Sequence, residues 1–108
     1  MFNPLKVAEM LSQANQLKDE MQQKLSQTIV DGSAGGGAVS ATMNGKKELL
    51  KIRIDPSAVT SLSGNQADVE MLEDLIVAAV NDAGRKAEVV IQSSMQSVLG
   101  DLKIPGLS

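Results

Sequence analysis

The chain has 108 residues, with ten Lys and Arg against thirteen Asp and Glu, a net charge of −3 and a pI near 4.8. That length fits a single domain, 1–108, whose modest core gains from a partner subunit. The absence of Cys and His excludes thiol nucleophiles, disulfides, imidazole bases and zinc held by those ligands, while a lone aromatic, Phe2, removes base stacking on aromatic platforms.

The opening MFNPLKVAEM lacks an apolar run followed by a small-residue cleavage site. No stretch approaches the ~20 apolar residues that span a bilayer, so the expectation is a soluble, cytoplasmic chain with no membrane partner. Residues 3 to about 27 read as a helix, with Asn3 able to cap it and Pro4 suited to its first turn. Val7, Met10, Ala14, Leu17 and Met21 recur at intervals of three and four, a heptad-like stripe on a helix roughly 36 Å long at ~1.5 Å per residue. Thr28 to Val30 are β-branched, and DGSAGGG reads as a flexible connection.

Residues 38–43 alternate and are followed by Asn44-Gly45, the strongest short hairpin signal in the chain. A two-residue turn would pair Met43 with Lys46, Ala41 with Glu48 and Val39 with Leu50. One face then carries Val39, Ala41, Met43, Leu50, Ile52 and Ile54, and the other Ser40, Thr42, Lys47, Lys51 and Arg53 beside Leu49. After Asp55-Pro56 and the polar SLSGNQ, a second helix is predicted from near residue 65 to 99, with Gly100 as its stop. Asp68, Glu70, Glu73 and Asp74 load its first turns with negative charge, as the helix dipole favours. Residues 1–3 and 101–108 are expected to be loose.

The predicted class is therefore α+β: a long N-terminal helix, a small three-stranded antiparallel sheet with an Asn-Gly hairpin, and a long C-terminal helix. The second helix would reach about 50 Å, against a radius of gyration of only ~13 Å for a globule of this size. Both helices must then project past the sheet with unpartnered apolar stripes. A homodimer is the expected remedy, with Leu17, Met21, Leu72, Ile76, Val80 and Ala83 at the interface.

The order of a Gln- and Met-rich first helix (Gln13, Gln16, Met21-Gln22-Gln23), GSAGGGAVSATMNG, IRIDPS, MLEDLIVAAVNDAGRKAE and a terminal IPGL resembles the YbaB/EbfC family over nearly the whole chain. Residues 36–45, 52–56 and 71–86 are the most specific portions. The resemblance implies an intertwined, tweezer-like dimer that binds double-stranded DNA with weak sequence preference, resides in the nucleoid and takes part in gene regulation. It implies DNA contacts by basic residues on projecting helices, of which the first helix offers Lys6, Lys18 and Lys24. Family members more often carry Ala at Gly84, where this mild helix breaker, worth ~1 kcal/mol against Ala, would suit close helix packing or a bend.

Three groups of cations are candidates for DNA. Lys46, Lys47, Lys51 and Arg53 face a single acid, Glu48, between residues 46 and 53, and can follow a phosphate backbone. The plain alternative is a solvated strand face whose lysines discourage edge aggregation. Arg85 and Lys86 lie near Asp82 and Glu88, which can pair with them, and Lys18 and Lys24 lie near Asp19 and Glu20. The Gly-rich loop lacks a following Lys-Ser/Thr and leads into a strand, so it does not read as a phosphate cradle. The acidic cluster is explained by its helix start, and the Met residues by packing. No convergent constellation points to an enzyme, a metal, a cofactor or a small-molecule substrate. A protein-interaction scaffold, favoured by the acidic pI, is the competing function.

Overall fold

The first helix, α1 (Pro4–Gln27), begins where its two leading residues dictate: the Asn3 side chain accepts from the Leu5 N–H at 3.1 Å and Pro4 occupies the first turn. The computed structural model describes residues 3–101. Thr28 closes α1, its N–H reaching the Lys24 and Leu25 carbonyls and its hydroxyl donating to Lys24 O at 2.7 Å. Leu25 alone in this helix is buried.

The strands β1 (Ile29–Ala34), β2 (Val39–Asn44) and β3 (Leu49–Ile54) form one antiparallel sheet in the order β1-β2-β3. The segment read as a flexible connection is mostly strand. Asp31, Gly32, Ser33 and Ala34 pair with Thr42, Ala41, Ser40 and Val39, and only Gly35–Gly37 turn the chain, in a 3₁₀ turn with φ of 64°, 66° and 97°. The five-residue α2 (Pro56–Thr60) is an element the sequence did not signal, capped by Asp55, whose carboxylate accepts from the Ser57 N–H and hydroxyl. The long helix α3 (Gln66–Asp101) runs 36 residues, through Gly100 rather than stopping there. Asn3 and Asp101 belong to ordered helix boundaries, whereas the remaining positions expected to be loose, 1–2 and 102–108, lie outside the described residues.

One face of the sheet receives α3. Val39, Ala41 and Met43 from β2 are buried with Ala79 and Ala83 from the helix, flanked by Val30, Ala34, Ile52, Ile54, Leu72, Leu75, Ile76 and Val80. Alanines at 79, 83 and 87 are all fully buried, and their spacing of four sets them in one row on α3. Opposite them stands Gly32, where an added Cβ would overlap the Ala83 backbone and lie 2.5 Å from the Ala79 carbonyl oxygen. Small residues on both sides thus bring helix and strand backbones together. Beyond the sheet, α1 and the C-terminal half of α3 continue as an arm, and the molecule measures 74 × 24 × 19 Å with a radius of gyration of 20.9 Å.

Candidate nucleic-acid interface

The hairpin that carries four of the candidate cations is wider than the Asn-Gly signal suggested. Val39 pairs with Ile54, Ser40 with Arg53, Ala41 with Ile52 and Thr42 with Lys51, four positions from the two-residue-turn register, and a bulge follows at Met43↔Leu49. Asn44 causes the difference. Its side-chain oxygen accepts from the Lys46 N–H at 2.9 Å and the Glu48 N–H at 3.1 Å, while its amide donates to the Glu48 carboxylate at 2.9 Å. Asn44 is buried by these bonds, and the turn therefore holds residues 45–48. Gly45 fastens it to α1, donating to Leu25 O at 2.8 Å and Thr28 O at 2.9 Å, so close that a Cβ would meet Leu25 O at 2.8 Å.

A shift of four preserves the alternation of faces. Lys51 and Arg53 accordingly stand where the sequence put them, exposed on the face away from α3, beside Thr42 and Ser40. Successive same-face residues on a strand are about 6.8 Å apart, close enough for adjacent phosphate contacts. The nearest acid on that face is Asp31 of β1, two strands from Lys51, and its carboxylate accepts from the Thr42 hydroxyl at 2.8 Å. Lys47 departs from the expected face. It occupies the turn at φ 64°, and its ammonium pairs with Glu88 of α3. Lys46 is exposed on an open polar groove shared with Asp19, Gln22, Gln23 and Ser26 of α1.

The pair on α3 divides in the same way. Asp82 accepts from the Ser33 N–H at 3.0 Å, on the outer edge of β1, and lies 3.6 Å from both Arg85 and Lys86. Lys86 donates to the Asp31 carbonyl at 2.8 Å on the same edge. These two side chains satisfy backbone groups that an edge strand leaves bare. The Ser33 N–H holds the Asp82 carboxyl below the usual carboxylate range, helped by Lys86 and then Arg85. Lys86 is thus engaged in structure, whereas the Arg85 side chain is 72% exposed and its long bridge to Asp82 leaves it facing water. Lys18 edges an apolar groove on the arm, and Lys24 lies in the last turn of α1. Among the described residues, Lys18, Lys24, Lys46, Lys51 and Arg53 have no carboxylate partner.

The expected interface residues are mostly spoken for within the chain. Ala83 is fully buried under Gly32 and has no surface left for a partner, which removes it from that set. Leu72, Ile76 and Val80 are half-buried against the sheet, and Leu17 and Met21 lie half-buried on the seam between α1 and α3. Exposed large apolar residues include Val69, Met71 and Val77 on α3, Leu49 and Leu50 on β3, and Leu5, Met10 and Leu11 on α1, none of them among the expected interface positions. For Met71 and Val77 the signal in the sequence was an apolar residue off the main stripe. Charge is also segregated: residues 54–84 hold six acids and no base.

Comparison with known proteins bears on the family and the fold. The model of the YbaB/EbfC DNA-binding family matches residues 2–102. The chain is 62% identical over 104 residues to a nucleoid-associated protein of Acidobacterium capsulatum, covering 96% of each. It is 44% identical over 98 residues to a nucleoid-associated protein of Koribacter versatilis, covering 91% of this chain and 92% of the other. The crystal structure of an uncharacterized protein from Helicobacter pylori superposes with a TM-score of 0.74 at 22% identity, covering 92% of this chain and 99% of that one, a likeness of fold.

Proposed function

The chain belongs to the YbaB/EbfC DNA-binding family, and from that premise we propose that it binds duplex DNA as a homodimer, chiefly through phosphate contacts from Lys51 and Arg53. It is a nucleoid-associated DNA-binding protein, of a family defined by binding rather than catalysis. The observation that carries the site is the pairing pattern of the cations. Lys47, Lys86 and Arg85 are matched to carboxylates of the same chain, whereas Lys51 and Arg53 stand together, exposed and unmatched among the described residues. Phosphates gain most from cations that need not first leave a partner.

Lys46 extends this patch at the turn, and Lys18, Lys24 and Arg85 supply secondary contacts as the duplex passes the arm and α3. Lys47 and Lys86 hold the turn and the β1 edge in place and contribute through position. Such binding varies little with base sequence, because phosphates carry no sequence information. Dimerisation through the exposed residues of β3 and α3 doubles the patch. A role in gene expression follows from occupancy of many chromosomal sites.

Fluorescence-anisotropy titrations against two unrelated duplexes over a salt series test the reading. Both should bind comparably, with log affinity falling linearly against log salt. Replacing Lys51 and Arg53 by Ala should weaken both and flatten the slope by about 2 for each protomer engaged, at ~0.9 for every phosphate no longer neutralised. An unchanged slope with an unchanged circular dichroism spectrum would remove the sheet face from the interface. Light scattering during chromatography should give about twice the 11.3 kDa chain mass.

A further inference from the structure

Asn44-Gly45 is the only Asn-Gly step in the chain, and such a step is where a side-chain amide is most easily lost. The reaction demands a particular geometry. The Gly45 nitrogen gives up its proton and bonds to the Asn44 Cγ, the Cγ–Nδ2 bond breaks, and ammonia leaves. Water then opens the cyclic imide at one carbonyl or the other, giving aspartate or isoaspartate. Glycine favours the closure, because it has no Cβ to obstruct it and leaves the backbone free to turn.

The folded turn withholds each component. The Gly45 N–H donates to Leu25 O at 2.8 Å and Thr28 O at 2.9 Å, so two carbonyls hold its proton. Asn44 Oδ1 accepts from the Lys46 and Glu48 N–H groups, and Nδ2 donates to the Glu48 carboxylate at 2.9 Å, which together fix Cγ. Asn44 is only 4% exposed and Gly45 is buried, so water is kept away. Both carbonyls that hold Gly45 belong to the close of α1, where Leu25 is the one buried side chain of that helix. We propose that Asn44 is a modification site gated by the end of α1. The site is closed while Gly45 sits on Leu25 and Thr28, and it converts irreversibly to aspartate or isoaspartate when that contact opens. Aspartate replaces the amide donor by a carboxylate oxygen facing Glu48, turning a hydrogen bond into repulsion between like charges. Isoaspartate adds a methylene to the main chain where Asn44 pairs with Ile29, accepts from the Lys47 N–H and donates to Glu48 O. Either product keeps the turn from reclosing, so a passing opening becomes a lasting loss of the turn that positions Lys46 and Lys47.

Peptide mass spectrometry follows the exchange of amide for acid at Asn44 during incubation in mildly alkaline buffer. The native chain should convert at least about tenfold more slowly than the chain unfolded in guanidinium chloride, since only the locally opened fraction reacts. Leu25→Ala should loosen the seat of Gly45 and raise the native rate severalfold while leaving the unfolded rate unchanged. If that variant does not fold, Glu48→Ala, which frees the Asn44 amide within the turn, takes its place with the same expectation. At denaturant concentrations well below the unfolding midpoint the native rate should stay nearly constant, because a local opening exposes little surface. Equal native and unfolded rates overturn the proposal, and so does a native rate that the substitution leaves unchanged. A native rate that climbs in step with global unfolding removes the end of α1 as the gate and overturns it too.

Discussion

The two ends of α3 pack by different rules. Across the sheet, the helix lies on β1 and β2 through Ala79, Ala83 and Gly32, with backbones close together and side chains fully buried. Along the arm, the same helix meets α1 through Leu17, Met21 and Val98 over a seam that leaves an open groove. Small residues make the first region intolerant of added volume, whereas medium-sized apolar residues leave the second with room. The polar groups follow the same division. Asp82 and Lys86 satisfy specific backbone groups of β1, but α1 presents Gln, Lys and acids to solvent along most of its length. A rigid head carrying the cationic sheet face, and a looser arm, follow from side-chain size alone.

The largest effect should come from breaking the tight seam. Gly32→Ala places a methyl group into the Ala83 backbone, and neither the central part of a helix nor a paired strand can move aside. The expected loss is about 3 kcal/mol or more, at the upper end of overpacking costs. Leu11→Ala on the exposed side of the arm should stay within about 0.5 kcal/mol of the parent protein. Urea denaturation of both variants measures the contrast, and similar losses would mean that the arm is packed as firmly as the head.

An intermediate effect should appear at the β1 edge and depend on pH. The Ser33 N–H, then Lys86 and Arg85, hold the Asp82 carboxyl below its ordinary value. A carboxylate depressed by folding contributes stability above its unfolded pKa of about 3.9 and loses it as pH falls through the lower folded value. Asp82→Asn keeps an acceptor for Ser33 but discards the charge. The variant should melt below the parent protein from pH 5 to 7, and the gap should narrow as pH drops beneath about 3.9. Melting curves between pH 2.5 and 7 check this. A gap constant across that range would show that the charge contributes nothing at this edge.

These particular contacts also explain what could be read from the residues in order. The start of α1 was legible because its signal is local: Asn3 caps and Pro4 begins the turn. The face of Lys51 and Arg53 was legible because strand alternation survives any even shift of register. The register itself was not, since it depends on Asn44 bonding across four residues and on Gly45 docking against Leu25. β1 was misread for a similar reason. DGSA has poor strand propensity, and only contact between Gly32 and an alanine row some fifty positions away makes it a strand. Lys47 and Lys86 looked interchangeable with Lys51 until tertiary structure supplied Glu88 and the Asp31 carbonyl as their partners.

Gly84 offers the smallest and most discriminating test of the division. It sits one residue beyond Ala83, yet an added Cβ there would meet nothing within 4 Å, because it faces an open groove shared with Lys47 and Arg85. Its size therefore serves no close packing within the chain, one of the two uses expected of it. Gly84→Ala should stabilise the protein by about 0.5–1 kcal/mol, since alanine loses less conformational freedom in a helix. One residue away, the same added methyl group has nothing to strike, while at Gly32 it has nowhere to go. Denaturant midpoints read both signs in one experiment. A destabilising Gly84→Ala would place a partner's surface in that groove, and the head would then extend beyond the single chain.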